Sequence, residues 1–325
     1  MVDFAYVFSA FHVTNGVCGM LCNALLIYLA LYHTPRSIKT YSTLIVNVAV
    51  TDFFACFFDV FVQQRLIPTG LTLAYVSNGP CRHFGPTTCY ASYSLLLQVL
   101  SHSLWSLLLS FSYRCYILYR PTPTQHLLIF IIFLIYIPSF LQSVSFLWAQ
   151  DDPSDIREIL RASFPSYNLT GQTVTGTKNI LRPSCLFTIL FLTAPLTPIY
   201  ICILVLRRTI ISKLSFHGVN ITKDTRKMHS QFFQALTYQA AIPCFYFICV
   251  ISYTIGQLGI CNHPALEYIT CSSILVIPLL SPFASLIFVS PYRKFIKRTF
   301  FEFNSSDPIA YPSSQHNVSI HSVMT

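Results

Sequence analysis

Long apolar runs, separated by short clusters rich in charge, proline and glycine, dominate the pattern along this chain. Within each run there is neither the period-2 alternation of a half-buried strand nor the Lys/Glu face that a soluble helix of such length would carry. A bilayer's hydrocarbon core needs about 20 apolar residues in helical form. Seven stretches meet that length: Phe8 to Tyr32, Ser42 to Val62, Thr87 to Tyr113, Leu127 to Ala149, Pro183 to Leu206, Phe232 to Gly256, and Tyr268 to Ser290. The only charges inside them are Asp52 and Asp59, both in the second. The first run lacks a basic segment before it and is too long for a signal-peptide core, so it is expected to be retained. No repeat of fixed period is visible. The pattern predicts an all-α membrane protein, a seven-transmembrane helix bundle over residues 1–303. A short polar tail, 304–325, is expected to be disordered.

Composition sharpens this picture. The chain is 54% hydrophobic and 10% charged, whereas soluble domains run near 25% charged. That excludes a soluble enzyme, a disordered protein and a nucleic-acid-binding domain. The net charge of +9 is not a nucleic-acid signal, because its distribution follows the spans. One set of loops holds Arg36, Lys39, Arg114, Arg120, Arg207, Arg208, Lys213, Lys223, Arg226, Lys227, Arg293, Lys294, Lys297 and Arg298, against the acids Asp224, Glu302 and Asp307. The other set is balanced. By the positive-inside rule the N-terminus is expected outside and the C-terminus in the cytoplasm. Asn168-Leu169-Thr170 is a glycosylation sequon that this direction puts outside. Sequons at Asn220, Asn304 and Asn317 fall on the other side, so the motif alone is weak. Cys81, Cys89, Cys185 and Cys261 lie at outer loops or helix ends, where pairing is chemically allowed. Four cysteines permit three pairings, and the sequence does not choose among them.

Several positions then resemble signatures of G-protein-coupled receptors. Asn47-Val48-Ala49-Val50-Thr51-Asp52 resembles their Asn-Leu-Ala-x-x-Asp signature, and Asn23 resembles the intramembrane Asn of the first span. Tyr113-Arg114-Cys115 is a degenerate Asp-Arg-Tyr triplet, and Ser281-Pro282-Phe283-Ala284-Ser285 stands where that superfamily has Asn-Pro-x-x-Tyr. The strings SNGPCRHFGPTTCY (Ser77 to Tyr90), SHSLWSLLLSFSYRCYILYR (Ser101 to Arg120) and IPLLSPFASLIFVSPYRKF (Ile277 to Phe295) look like the nematode chemoreceptors called serpentine receptor class delta. The resemblance implies a sensory receptor in the plasma membrane or cilia of sensory neurons. Its partners would be a small-molecule odorant or pheromone-like ligand, a cytoplasmic heterotrimeric G protein and membrane lipid, with no cofactor. The same resemblance pairs Cys89 with Cys185, leaving Cys81 with Cys261 as the complement.

An ionised carboxylate in a bilayer costs several kcal/mol unless paired or hydrated, so Asp52 is read as functional. Asn23, Asp52 and Ser281 are expected to form a polar cluster belonging to a switch. Asp59 is expected to pair with Arg65 or to reach to the interface by snorkelling, rather than to meet a ligand. Arg114 is a candidate for the G-protein interface, although Tyr113 replaces the usual local acid and leaves Asp224 as the only acid in the third inner loop. Pro243 and Pro282 are expected to let the inner ends of spans six and seven swing, since proline removes a backbone donor and bends a helix. Tyr93, Leu97, Gln98 and Ser101 on span three, Tyr246 and Tyr253 on span six and Thr270 on span seven are the candidate ligand contacts. Tyr292, Phe295, Ile296, Phe300 and Phe303 share one face after span seven, with Arg293, Lys294, Lys297 and Arg298 on another, predicting a short helix lying on an anionic leaflet. Catalytic motifs are absent and no lysine for a retinal Schiff base stands in span seven. The rival reading is a carrier of a small solute using Asp52 and Asp59 as coupling sites, although no inverted halves are visible.

Overall fold

The computed structural model describes residues 4–35, 39–216, 234, 237–261 and 263–301. Among these, seven helical segments are long and apolar enough to cross a membrane. The helices are α1 (Phe4–Tyr32), α2 (Lys39–Val62), α3 (Pro86–Tyr116) and α4 (Gln125–Leu147), then α5 (Pro153–Ser163), α6 (Pro183–Thr193) and α7 (Leu196–Phe216), and finally α8 (Cys244–Gln257), α9 (Pro264–Phe288) and α10 (Ser290–Ile296). The fifth predicted span is interrupted at Ala194 and Pro195, giving α6 and α7. The sixth spans Thr237–Gln257 and breaks its helical pattern at Ile242 and Pro243. Both breaks follow from proline, whose ring clashes with the carbonyl four residues back and which has no N–H to donate. α1 packs on α2 and α9, α3 on α2, α4 and α7, and α8 on α9, closing a bundle.

Small residues set the closest of these contacts. A Cβ on Gly16 of α1 would lie 2.3 Å from a methyl of Val60 and 3.1 Å from the Cys56 carbonyl oxygen on α2. Close approach of this kind is how membrane helices gain dispersion contact without a hydrophobic drive between them.

The pattern of apolar runs did not predict strands, and three are present: β1 (Gln64–Thr69), β2 (Thr72–Ser77) and β3 (Thr173–Thr177). They form one antiparallel sheet in the order β1-β2-β3. Thr69 pairs with Thr72 across a two-residue turn, Gly70-Leu71, with Gly70 at φ 57°, a conformation that glycine adopts without steric cost. Successive strand residues face opposite sides. Leu66, Leu73 and Tyr75 join the core of the bundle. Ile67, Ala74, Val76 and Val174 instead pack against Ile156 and Leu160 of α5. The sheet is thus a two-sided roof across one end of the bundle. β2 is buried along its whole length because both faces are covered.

Cys81 bonds Cys89, which corrects the expected Cys89–Cys185 and Cys81–Cys261 pairs. The short segment Pro80–Phe84 folds back on the start of α3 and brings Cys81 to Cys89 locally, while Cys185 is a buried free thiol and Cys261 an exposed one. After α9 the chain turns at Val289 into α10, where Tyr292 is fully buried against α1 and α2 and Arg293 and Lys294 occupy the last turn. A short helix is thus present after the seventh span among the described residues; the side chain of Phe300, Phe303 and the polar tail lie outside them.

Candidate functional site

Beneath the roof lies a cavity of about 130 Å³. Helix α3 contributes Tyr93, Leu96, Leu97 and Leu100, α6 contributes Thr188, Ile189, Leu192 and Thr193, and α8 contributes Tyr246, Cys249, Val250 and Tyr253. Thr270, Cys271, Ile274 and Leu275 of α9 close another wall, and Gln64, Leu66, Leu73 and Tyr75 form the ceiling. The three threonine hydroxyls here are already committed: Thr188 donates to the Ser184 carbonyl, Thr193 to that of Ile189 and Thr270 to that of Leu266. Such back-bonding hides the polar atom and leaves a methyl, so the cavity is apolar despite its threonines.

The roof is latched to the bundle. Arg65 of β1 forms an ion pair with Glu267 of α9 at 2.6 Å, with both side chains largely buried. Tyr167 donates its hydroxyl to the other Glu267 oxygen at 2.7 Å, and the guanidinium lies 4.7 Å and 5.1 Å from the ring centres of Tyr167 and Tyr268. Burial alone would lower the Arg65 pKa, but the Glu267 carboxylate and the flanking tyrosines outweigh it and raise the value. Burial, then the bond to Glu267, pushes the Tyr167 phenol up as well. The ion pair is therefore held by cation–π stacking as well as by charge. Arg65 was expected to meet Asp59. The carboxylate of Asp59 instead sits 2.6 Å from His12 Nδ1 of α1, because β1 carries Arg65 up and away to α9.

Deeper in the bundle is a second, smaller cavity of about 40 Å³, lined among others by Tyr41, Ser103, Ser110, Gln239, Tyr246, Ser281 and Ser285. Asp52 accepts a hydrogen bond from Ser103 Oγ at 2.8 Å and lies within interaction range of Ser281. Asn47 donates to Ser106 at 2.8 Å and contacts His102 at 3.2 Å. Asn23 is brought to the same helices but does another task. Pro282 has no N–H, which frees the carbonyl of Pro278 four residues back. The Asn23 amide donates to that carbonyl at 2.9 Å. The expected cluster is therefore an Asp52–Ser103 bond with Ser281 nearby, while Asn23 satisfies the proline kink.

At the far end of this cavity Arg114 is buried at the last turn of α3, a position its charge favours. It donates to Gln239 Oε1 at 2.5 Å and to the Tyr41 hydroxyl, and it stacks on Tyr41 and Phe111 at 5.3 Å and 5.6 Å. Asp224, the only acid in the third inner loop of the sequence, lies outside the described residues. The observed contacts join α2, α3 and the segment before Pro243.

The chain matches the family described as "Serpentine type 7TM GPCR chemoreceptor Srd" over residues 8–298. It belongs to the serpentine receptor class delta family. Serpentine receptor class delta-18 of Caenorhabditis elegans is 39% identical over 295 residues, covering 90% of this chain and 88% of the relative. Serpentine receptor class delta-19 of the same organism is 39% identical over 296 residues, 90% and 87% respectively. The crystal structure of squid rhodopsin superposes with a TM-score of 0.62 at 12% identity, covering 97% of this chain and 90% of that one. At that identity the likeness shows a shared seven-helix fold.

In this class delta receptor five of the seven candidate contacts, Tyr93, Leu97, Tyr246, Tyr253 and Thr270, line the larger cavity. Gln98 and Ser101 do not. Ser101 contacts Ser139 of α4 at 3.2 Å and Gln98 is buried, because helical rotation turns these positions toward the neighbouring helices. Sequence reasoning missed the ceiling residues Gln64, Leu66, Leu73 and Tyr75, which only the sheet brings over the bundle. It also missed Ser103, although Ser103, Ser106 and Ser110 repeat at helical spacing along α3 and mark a polar stripe. Asn168 is exposed in the loop before β3, its side-chain oxygen accepting from the Thr170 amide. Asn220, Asn304 and Asn317 lie outside the described residues.

Proposed function

We propose that this class delta receptor binds a small, largely apolar molecule in the cavity under the roof and signals to a heterotrimeric G protein at the opposite, basic end. In this reading the sheet faces outside the cell, Asn168 carries glycan, and the receptor sits in the plasma membrane of sensory neurons. The volume sets the ligand's scale: an engineered apolar cavity of about 150 Å³ admits benzene. One observation carries the proposal. Tyr246 lines both cavities and donates its hydroxyl to the Leu100 carbonyl of α3 at 2.8 Å. It stands three residues past Pro243, where the sixth span is already broken. A molecule pressing on Tyr246 would bias the segment holding Gln239, and with it the Arg114 contacts. That is the differential contact between two states that coupling across a bundle requires.

The test is a screen of small volatile compounds on cells expressing the chain, read by calcium or cyclic nucleotide. An activating compound should lose its effect when Leu97→Trp fills the cavity. Tyr246→Phe should leave binding within about threefold but cut the signal, since it removes only the tie to Leu100. Compound-driven solute flux without G-protein activation would instead favour a carrier working through Asp52 and Asp59.

A further inference from the structure

The ceiling of the larger cavity holds a buried amide whose N–H groups have no acceptor within the protein. Gln64 opens β1 and is 2% exposed. Its Oε1 accepts from Ser77 Oγ at 2.9 Å, across the register pair Gln64–Ser77. Its Nε2 has no partner. Strand geometry fixes where this amide lies. Residues two apart share a face, and Leu66, two residues on, lines the cavity as Gln64 itself does. On β2, Tyr75 is two residues from Ser77 and lines it too. The amide is therefore clamped at its oxygen end by Ser77 on the roof face that carries Leu66 and Tyr75, with a buried donor left unpaired.

A buried amide N–H without an acceptor costs free energy that a ligand can recover. The threonine hydroxyls around it are turned back onto their own helices and Tyr246 is bonded to Leu100, which leaves the amide, with the hydroxyls of Tyr75 and Tyr253, to meet a polar atom of a ligand. We infer that Gln64 is a specificity-determining residue, and that the ligand class is a compact apolar molecule bearing a single hydrogen-bond acceptor of the carbonyl type: a ketone, aldehyde or ester. The apolar walls take the hydrocarbon body and the Gln64 amide orients the oxygen toward the roof. This rests on the reading of the cavity as the ligand site.

The probes are acetophenone and α-methylstyrene, which have the same shape and differ in C=O against C=CH2. Binding of each to the full-length receptor in lipid nanodiscs is measured by ligand-observed NMR against empty nanodiscs. Acetophenone should bind about tenfold more tightly than α-methylstyrene, the worth of one buried hydrogen bond. Gln64→Leu should weaken acetophenone by that factor and leave α-methylstyrene unchanged, which also reports that the variant is folded. Gln64→Met gives a second removal of the donor. Leu97→Trp should expel both probes. Equal affinities in the unmodified receptor, or a preference that survives both Gln64 variants, would overturn the inference while leaving the cavity as the site. If Leu97→Trp changed neither affinity, the cavity itself would be the wrong site, a separate result that removes both readings.

Discussion

Arg65 and Glu267 show how little of a residue's partner can be read from spacing along a chain. The sequence set Asp59 six residues before Arg65 and suggested a pair, but an intervening strand directs the arginine to a glutamate 202 positions later. His12, which takes Asp59 instead, lies in an apolar run where a single histidine carries no periodic signal. Asp52 and Arg114 were legible, since an acid inside a span or a buried base at its end stands out by cost alone. The latch gives a test at this scale. Glu267→Gln leaves a largely buried guanidinium without its counter-charge, and the roof should lose roughly 2–3 kcal/mol of local stability. Faster hydrogen exchange of the β1 amides would report it; unchanged exchange would show that the sheet holds without the ion pair. A second test concerns pH. Asp152 caps α5, accepting from the Ser154 amide at 2.8 Å and the Ser154 hydroxyl at 2.5 Å, and these bonds hold its carboxyl below the usual range. A depressed value means the cap is fully formed above the ordinary Asp range and is lost as pH falls through the lower folded value. The first turn of α5 should therefore fray only in strong acid, whereas Asp152→Ala should fray it at neutral pH, which exchange at Ser154 to Ile156 would detect.

Among the elements, the helices were legible and the strands were not, for one physical reason. Every backbone group of a spanning helix is satisfied within about 20 apolar residues, so the signal is long and local. The roof instead assembles from five- and six-residue pieces, and its first strand contains Pro68, which reads against a strand. The sheet order resolves that conflict, because β1 is an edge, the position where a missing donor is tolerated. Prolines inside the spans were placed correctly but their consequences differ. Pro282 is absorbed within a continuous α9 by the Asn23 amide, whereas Pro243 ends the helical pattern. Pro243→Ala should extend α8 toward Thr237 and slow or abolish activation without lowering surface expression, checked by signalling normalised to receptor at the cell surface. The disulfide is a third element-scale test. Peptide mapping without reductant should recover Cys81 joined to Cys89, with Cys185 alkylated only after denaturation. Closing so short a loop stabilises by about 2–3 kcal/mol, and Cys81→Ser should cost that amount without trapping a new pair.

For the whole molecule, one end carries a sheet latched by the Arg65–Glu267 ion pair, and the other carries the buried Arg114 and the basic residues of α10. Two cavities lie between them, sharing Tyr246. The direction of the bundle in the membrane is testable through the loop bearing Lys223, Arg226 and Lys227. A cysteine placed there should react with a membrane-impermeant reagent only after the cell is opened, and labelling of intact cells would reverse the proposed direction.

The roof also dictates an order of events during synthesis. Its hairpin and its disulfide join residues close in sequence and can form as soon as the start of α3 has left the ribosome. β3 pairs with β2 only after about a hundred more residues, and Glu267 arrives with the last span. The larger cavity therefore gains its ceiling and its α3 wall early and its α8 and α9 walls late. Until the last two spans are made, the part of the hairpin face that will meet α8 and α9 lacks those partners, so the nascent chain carries uncovered apolar surface beside α3.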